Sequence, residues 1–520
     1  MKKQVYNPYL PLSEYIPDGE PHIFDGRVYI FGSHDKEAGE TFCMLDYVTY
    51  SAPVDDLTDW RYEGVIYKAS QDPQYGTEVP WFNHVEENVA ASALTEKNNT
   101  LQYMYAPDVV RGNDGKYYLY YAMGGDYGVG GYTCPISVAV AEKPVGPYEF
   151  LGFVRNPDGT PMKRYILFDP AVINDNGTIR LYYGTQYDYE ERDDFKENPE
   201  YMRQEIGMFN RSEEEILSYE DSIMGPITVT LQDDMLTIAD EPRHIIPYRV
   251  KGTSFEEHPF FEGPSMRKIG EKYYFIYSSK QNHELCYATS DYPDKDFVFG
   301  GTIVSNGDVG LNGRKSEDRL NMTGTTHGSI IEINGQWYVF YHRLTHKSDY
   351  SRQSCAEKIT VLPDGSIPQT EITSCGLNNG PLEGRGTYPA VICCNLTNGN
   401  MPHGSNRIYR FSFPNVTNRG DERFVGEICD GTLIGYKFFK MQGVRTICIK
   451  AMLEEEGSGE FEIRLSPEGA SIGTATLTGS VPDVWTEVSV DVTIPDGVYP
   501  LYFVYKGTGR AALKEFTLEG

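Results

Sequence analysis

PFFEGPSMRKIGEKYYFIYSS, Pro259 to Ser279, carries a carboxylate, Glu262, ahead of a turn at Gly270 and a run of aromatic and β-branched residues from Tyr273 to Tyr277. A run of that kind behind a Gly turn predicts the first hairpin of an antiparallel sheet. The design recurs four times. IPDGEPHIFDGRVYIFGS carries Asp18 before Asp25-Gly26, and YAPDVVRGNDGKYYLYYA carries Asp108 before Asp114-Gly115. LFDPAVINDNGTIRLYYGT carries Asp169 before Asn176-Gly177, and THGSIIEINGQWYVFYHR carries His327 before Asn334-Gly335. Asx-Gly and Gly are the residues a tight hairpin turn requires, because its central positions need φ > 0.

Five copies of one β unit point to a radial repeat, and the expected fold is all-β, a five-bladed β-propeller. The first strand of each blade lines the channel, so Asp18, Asp108, Asp169, Glu262 and His327 should gather around one axis. Four carboxyls brought into one funnel with an imidazole are a costly concentration of like charge, so the cluster reads as an active site.

Around these hairpins, Val48 to Tyr67, Ile136 to Val154 and Leu285 to Val304 read as the outer strands of blades. The charged run Tyr187 to Ile206 reads as a solvated loop or, alternatively, a lid over the funnel. Trp81 lies in another long loop, as a sugar-stacking platform or as loop filling. Residues 1–390 are assigned to the propeller and the polar stretch 391–406 to a linker. Short alternating strands over residues 407–520 predict a smaller β-sandwich of jelly-roll type.

The chain has 520 residues, 46 Lys+Arg against 75 Asp+Glu, and a net charge of −29. That balance excludes nucleic acid and anionic membranes as partners and disfavours a polyanionic substrate. No stretch approaches the roughly 18 apolar residues of a membrane span. The start, MKKQVYNPYLPLSEYIPDG, has Tyr, Asn and Pro where a secretory leader has an apolar core. Nine cysteines without C-x-x-C spacing read as reduced thiols, and the expected location is the cytoplasm.

The inner motifs resemble those of glycoside hydrolase family 43. An Asp-x-x-Pro (Asp18 to Pro21), an APD (Ala106 to Asp108), a DPA (Asp169 to Ala171), an EGP (Glu262 to Pro264) and a T-H-G-S (Thr326 to Ser329) follow in the family's order over about the first 385 residues. The resemblance implies a five-bladed propeller that inverts the anomeric centre of arabinosides and xylosides, with Asp18 as general base, Glu262 as general acid and Asp169 raising the acid's pKa and orienting it. Inversion needs the acid and base roughly 6.5–9.5 Å apart, with room for water. Asp108 is read as structural or sugar-contacting. His327 resembles a histidine that faces a hydrated calcium ion at the family's axis; a hydrogen-bonded core histidine is the alternative. No cofactor is required for the chemistry. Gln186 and Arg343 stand where strands emerge and either grip sugar hydroxyls or serve the surface. Asp430 to Met441 and the segment around Trp485 resemble a family 6 carbohydrate-binding module.

The expected activity is exo-cleavage of neutral pentoses from oligosaccharides. An α-L-arabinofuranosidase on arabinoxylan-derived oligosaccharides comes first and a β-xylosidase, alone or as a second activity, next. A catalytically silent sugar-binding propeller is the rival of another class.

Overall fold

The computed structural model describes residues 3–78, 100–125, 132–187, 191–404, 407–477 and 482–520. Each of the five quoted stretches folds as an antiparallel hairpin and opens a sheet. The first sheet is β1 (Glu20–Phe24), β2 (Arg27–Phe31), β3 (Tyr47–Pro53) and β4 (Arg61–Tyr67). The second is β5 (Tyr103–Arg111), β6 (Tyr117–Gly124), β7 (Ser137–Ala141) and β8 (Glu149–Phe153). The third is β9 (Ala171–Asp175), β10 (Thr178–Tyr183), β11 (Ile227–Leu231) and β12 (Arg243–His244). The fourth is β13 (Phe260–Ile269), β14 (Lys272–Ser279), β15 (Glu284–Ser290) and β16 (Val298–Ser305). The fifth has three strands, β17 (Ser329–Ile333), β18 (Gln336–Leu344) and β19 (Arg352–Ile359).

Turn chemistry sets the registers. Phe24 pairs with Arg27 across Asp25 and Gly26, at φ 49° and 78°. Ile333 pairs with Gln336 across Asn334 and Gly335, at φ 51° and 81°. Two positive-φ residues match the right-handed twist of the flanking strands.

The first strands are the hub. β1 lies against β5, β5 against β9, β9 against β13, β13 against β17, and β17 returns to β1. The N-terminal segment fastens this ring: Tyr9 N–H donates to Ser354 O on β19 (3.2 Å), and Val5, Tyr9 and Leu10 share a core with Ile30 of the first sheet and Phe340 of the fifth. The second strands are Tyr-rich because a Tyr ring fills the space between sheets while its hydroxyl can reach a carbonyl or a carboxylate: Tyr120, fully buried, donates to Met235 O at 2.7 Å, and Tyr121 to Asp72 Oδ2 at 2.6 Å.

Two differences from the sequence reading have clear causes. The charged run after Tyr187 is helical, with α1 (Glu191–Glu197), α2 (Pro199–Phe209) and α3 (Glu213–Leu217). Asn198 caps α2 by accepting from Glu200 N–H, Pro199 opens it, and Met202, Met208 and Phe209 are buried beneath it. The stretch 391–406 is not a free linker. Asn395–Thr397 pairs with Leu433–Met441, and Gly386–Pro389, assigned above to the first unit, pairs with Ala511–Glu519. These pieces join two six-stranded sheets that hold the rest of the C-terminal region and share one core, with Tyr436, Phe439 and Phe503 of one sheet against Ile447 and Phe516 of the other.

Candidate active site

Asp18, Asp169 and His327 stand just before β1, β9 and β17, Glu262 lies in β13 and Asp108 in β5. Equivalent places on neighbouring first strands bring distant residues together. His327 Nδ1 is 3.8 Å from Asp18 Oδ1 and 3.9 Å from Asp169 Oδ2. Asp169 Oδ2 accepts the Gly263 N–H at 3.2 Å, which sets it beside Glu262. Asp18 and Asp169 both sit at positive φ, 58° and 46°, a conformation Asp tolerates better than most residues and one that recurs at functional sites.

The carboxyls differ in their partners. Arg352, at the start of β19, holds Asp18 through Nη1 to both oxygens, at 2.9 and 3.1 Å. The same guanidinium holds Asp35 with Nε (2.9 Å) and Nη2 (3.1 Å), and Asp35 in turn accepts Cys43 N–H. His342 Nδ1 lies 3.3 Å from Asp18 Oδ1. Burial disfavours the Asp18 anion, but Arg352 and the two imidazoles outweigh it and hold this carboxyl below its ordinary range.

Glu262 and Asp169 have no Lys or Arg partner among the described residues. Burial and the negative charge of Asp18 push Glu262 to about 8, against the pull of Arg352. Burial, Glu262 and Asp18 together push Asp169 well above the carboxylate range. Burial, with the negative charge of the neighbouring carboxyls, keeps a proton on this pair near neutral pH. β13 is bulged on both sides of Glu262, and Gly263, at φ 65°, lets the chain pass close to the His327 ring, where a Cβ would meet Cγ at 2.8 Å. Aromatic rings wall this side: Tyr132 packs tilted against Phe168 (4.8 Å) and meets Phe209 of α2 (6.1 Å), and Tyr187 meets Phe261 (6.3 Å).

The other expected contacts fall elsewhere. Asp108 is fully buried and spent: Oδ1 faces His22 Nε2 (2.6 Å) and accepts Val109 N–H, and Oδ2 accepts Val172 N–H (2.7 Å). It ties β5 to β9, with both oxygens taken by protein partners. Arg343 is also turned away, donating to Cys355 Sγ and to the carbonyls of Cys394 and Cys393 (both 3.2 Å). Successive residues of a strand face opposite sides, so His342 faces the site and Arg343 the C-terminal sheets. Gln186 braces β13, its N–H donating to Phe261 O and its Nε2 to Tyr248 O (3.1 Å). Trp81 lies outside the described residues. The residues that sequence reading missed, Arg352, Asp35 and His342, had no motif; only the alternation in Tyr341-His342-Arg343 offered a signal.

At the axis Glu20 is buried, with Oε2 accepting from Arg267 (2.5 Å) and Ser265 (3.1 Å). Its Oε1 is buried without a hydrogen-bond partner among the described residues, 4.0 Å from His327 Nε2. Burial, against the pull of Arg267 and with the push of Asp108, raises Glu20 to about 7; burial lowers His327 to about 4, so its imidazole is neutral. The orphaned carboxylate oxygen is a donor of the kind a hard cation such as Ca²⁺ takes.

No protein-family model matches the sequence. The chain is 42% identical over its whole length to a xylosidase/arabinosidase of Thermoclostridium stercorarium, covering 99% of that protein. It is 30% identical to a xylosidase/arabinosidase of Bacteroides ovatus over 64% of this chain and 87% of that one. A solved family 43 arabinoxylan arabinofuranohydrolase from Bacillus subtilis, in complex with cellotetraose, aligns over 98% of this chain and 97% of its own at 19% identity and a TM-score of 0.46. With a relative 42% identical along its full length, the chain belongs to glycoside hydrolase family 43 and is an enzyme that hydrolyses glycosidic bonds.

Proposed function

We propose that the enzyme is an inverting exo-glycosidase for neutral pentoses, first an α-L-arabinofuranosidase on arabinoxylan-derived oligosaccharides. Asp18 is the base that activates water, Glu262 the acid that protonates the leaving oxygen, and Asp169 the carboxyl that orients Glu262. The observation that carries this reading is the division inside one buried cluster: Arg352 grips one carboxyl, and the other two have no Lys or Arg bonded to them among the described residues. Such a division yields an ionised base and a protonated acid at one pH. β-Xylosidase activity is the second reading, supported by the double name of the relatives. Hydrolysis of 4-nitrophenyl α-L-arabinofuranoside and β-D-xyloside side by side tests the choice; a kcat/KM for the xyloside above that for the arabinofuranoside reverses the order, and no hydrolysis of either refutes both.

The cyclic order of the five sheets supports a five-bladed β-propeller, and the shared core of the two C-terminal sheets supports a β-sandwich resembling a family 6 carbohydrate-binding module. Glu20 and His327 would hold a calcium ion at the axis, where its charge would stabilise the buried Glu20 anion. The nine free thiols favour a reducing compartment such as the cytoplasm.

A further inference from the structure

The C-terminal sheets touch the first unit close to Asp18. Arg423, on the strand Glu422–Ile428, meets Glu37 fork to fork, Nε to Oε1 and Nη2 to Oε2, both at 2.7 Å. Glu37 Oε1 also accepts the hydroxyl of Tyr15 at 3.0 Å, and His346 Nε2 lies 4.0 Å away. Both chain segments that Glu37 joins lead into the site. Tyr15 is almost fully buried, three residues before Asp18, and its carbonyl accepts the Asp35 N–H at 2.9 Å. Asp35, two residues before Glu37, is the carboxylate that clamps Arg352 against Asp18. The turn holding Glu37 carries Ala38 at φ 52°, a conformation that a residue with a Cβ disfavours, so the turn depends on outside fastening.

We propose that Arg423 is a positioning residue for the hydrolytic site: by holding Glu37 it fixes the Tyr15 segment and the Asp35 clamp, and so the geometry of Arg352 on Asp18. The C-terminal unit then completes the catalytic site and is more than a sugar-holding appendage. A bidentate guanidinium–carboxylate pair has the directional rigidity such a brace needs, and a lysine in its place keeps charge without the fork. This inference rests on Asp18 as the general base.

The test compares Arg423→Met, Arg423→Lys and Glu37→Gln with Lys347→Met. Lys347 makes another ion pair across the same boundary, with Glu427, and contacts neither Glu37 nor Asp35. Readouts are kcat, KM, the acidic limb of the pH profile and the melting temperature. Arg423→Met should lower kcat about tenfold, less than the roughly 10²-fold of a full ångström misplacement, with KM changed less than about twofold. Its acidic limb should move to higher pH as Arg352 loosens from Asp18. Arg423→Lys should recover part of kcat, Glu37→Gln should reproduce the loss, and Lys347→Met should leave kcat and the limb unchanged. If Arg423→Met does not fold, Glu37→Gln decides alone. Unchanged kcat and acidic limb in Arg423→Met or Glu37→Gln would overturn the proposal, as would an equal loss in Lys347→Met. Asp18→Asn separates the two levels: turnover retained there refutes the base itself, whereas turnover lost there but kept in the Arg423 variants refutes only the brace.

Discussion

At the scale of single residues, the chemistry depends on unequal treatment of like groups. Asp18 ionises because Arg352, bonded to both its oxygens, offsets its burial, while Glu262, buried and facing the Asp18 anion, keeps its proton against the weaker pull of Arg352. Glu262→Gln should lower turnover roughly 10²–10⁴-fold, the range for loss of an acid–base group, with the melting temperature preserved or raised. In the wild type, kcat/KM should fall on the alkaline side through about pH 8, as Glu262 loses its proton. Arg352→Met should move the opposite limb: the Asp18 anion loses its counter-charge, its pKa rises, and activity at acid pH is lost sooner. A pH–rate profile of the variant measures this, and an unmoved acidic limb would contradict it. The carboxyls were legible in the sequence because each opens a recognisable hairpin. Arg352 was not, because it lies 334 residues from the Asp18 it holds and belongs to no repeat. For Asp108 the sequence left two readings open, structural or sugar-contacting, because a repeat places a residue at the axis but does not say whether its oxygens are already taken; its partners favour the structural one.

At the scale of elements, the five hairpins were legible because their turn residues leave little choice, and the structure has them where the four Asx-Gly pairs and Gly270 stand. The helices after Tyr187 were hidden by charge. Asn198-Pro199 was the overlooked start signal, and the buried Met202, Met208 and Phe209 mark the inner face. The bulge in β13 was also out of reach, since pairing register around Glu262 depends on the neighbouring sheet. Its glycine is testable. Gly263→Ala puts a methyl against the His327 ring at positive φ, and overpacking of this kind costs about 1–3 kcal/mol. A lower melting temperature together with lost turnover is expected; wild-type values of both would show that the close approach to His327 is unimportant.

Across the whole molecule, the boundary between the two units was the least legible feature, because short strands such as Asn395–Thr397 gain their partners only from chain far downstream. The units are bound by buried polar contacts, including Lys437 with Asp308 at 3.2 Å and Arg343 with the Cys393 and Cys394 carbonyls. Buried acids also set the pH response. Burial pushes Glu262, Asp349 and Glu357 each to about 8 in the folded chain. Between their unfolded values and about pH 8 the folded state binds more protons, so stability is greatest on the acid side and falls as pH rises through that window. The melting temperature should be higher at pH 5.5 than at pH 8.5, and Glu357→Gln, remote from the hydrolytic carboxyls, should narrow the difference; a higher melting temperature at pH 8.5 would contradict the account. The central claim is that Asp18 and Glu262 act from opposite sides of one glycosidic bond. Proton NMR of the first sugar released from 4-nitrophenyl α-L-arabinofuranoside, read before mutarotation, tests it most directly: the account predicts the β-anomer, and the α-anomer as first product would contradict it.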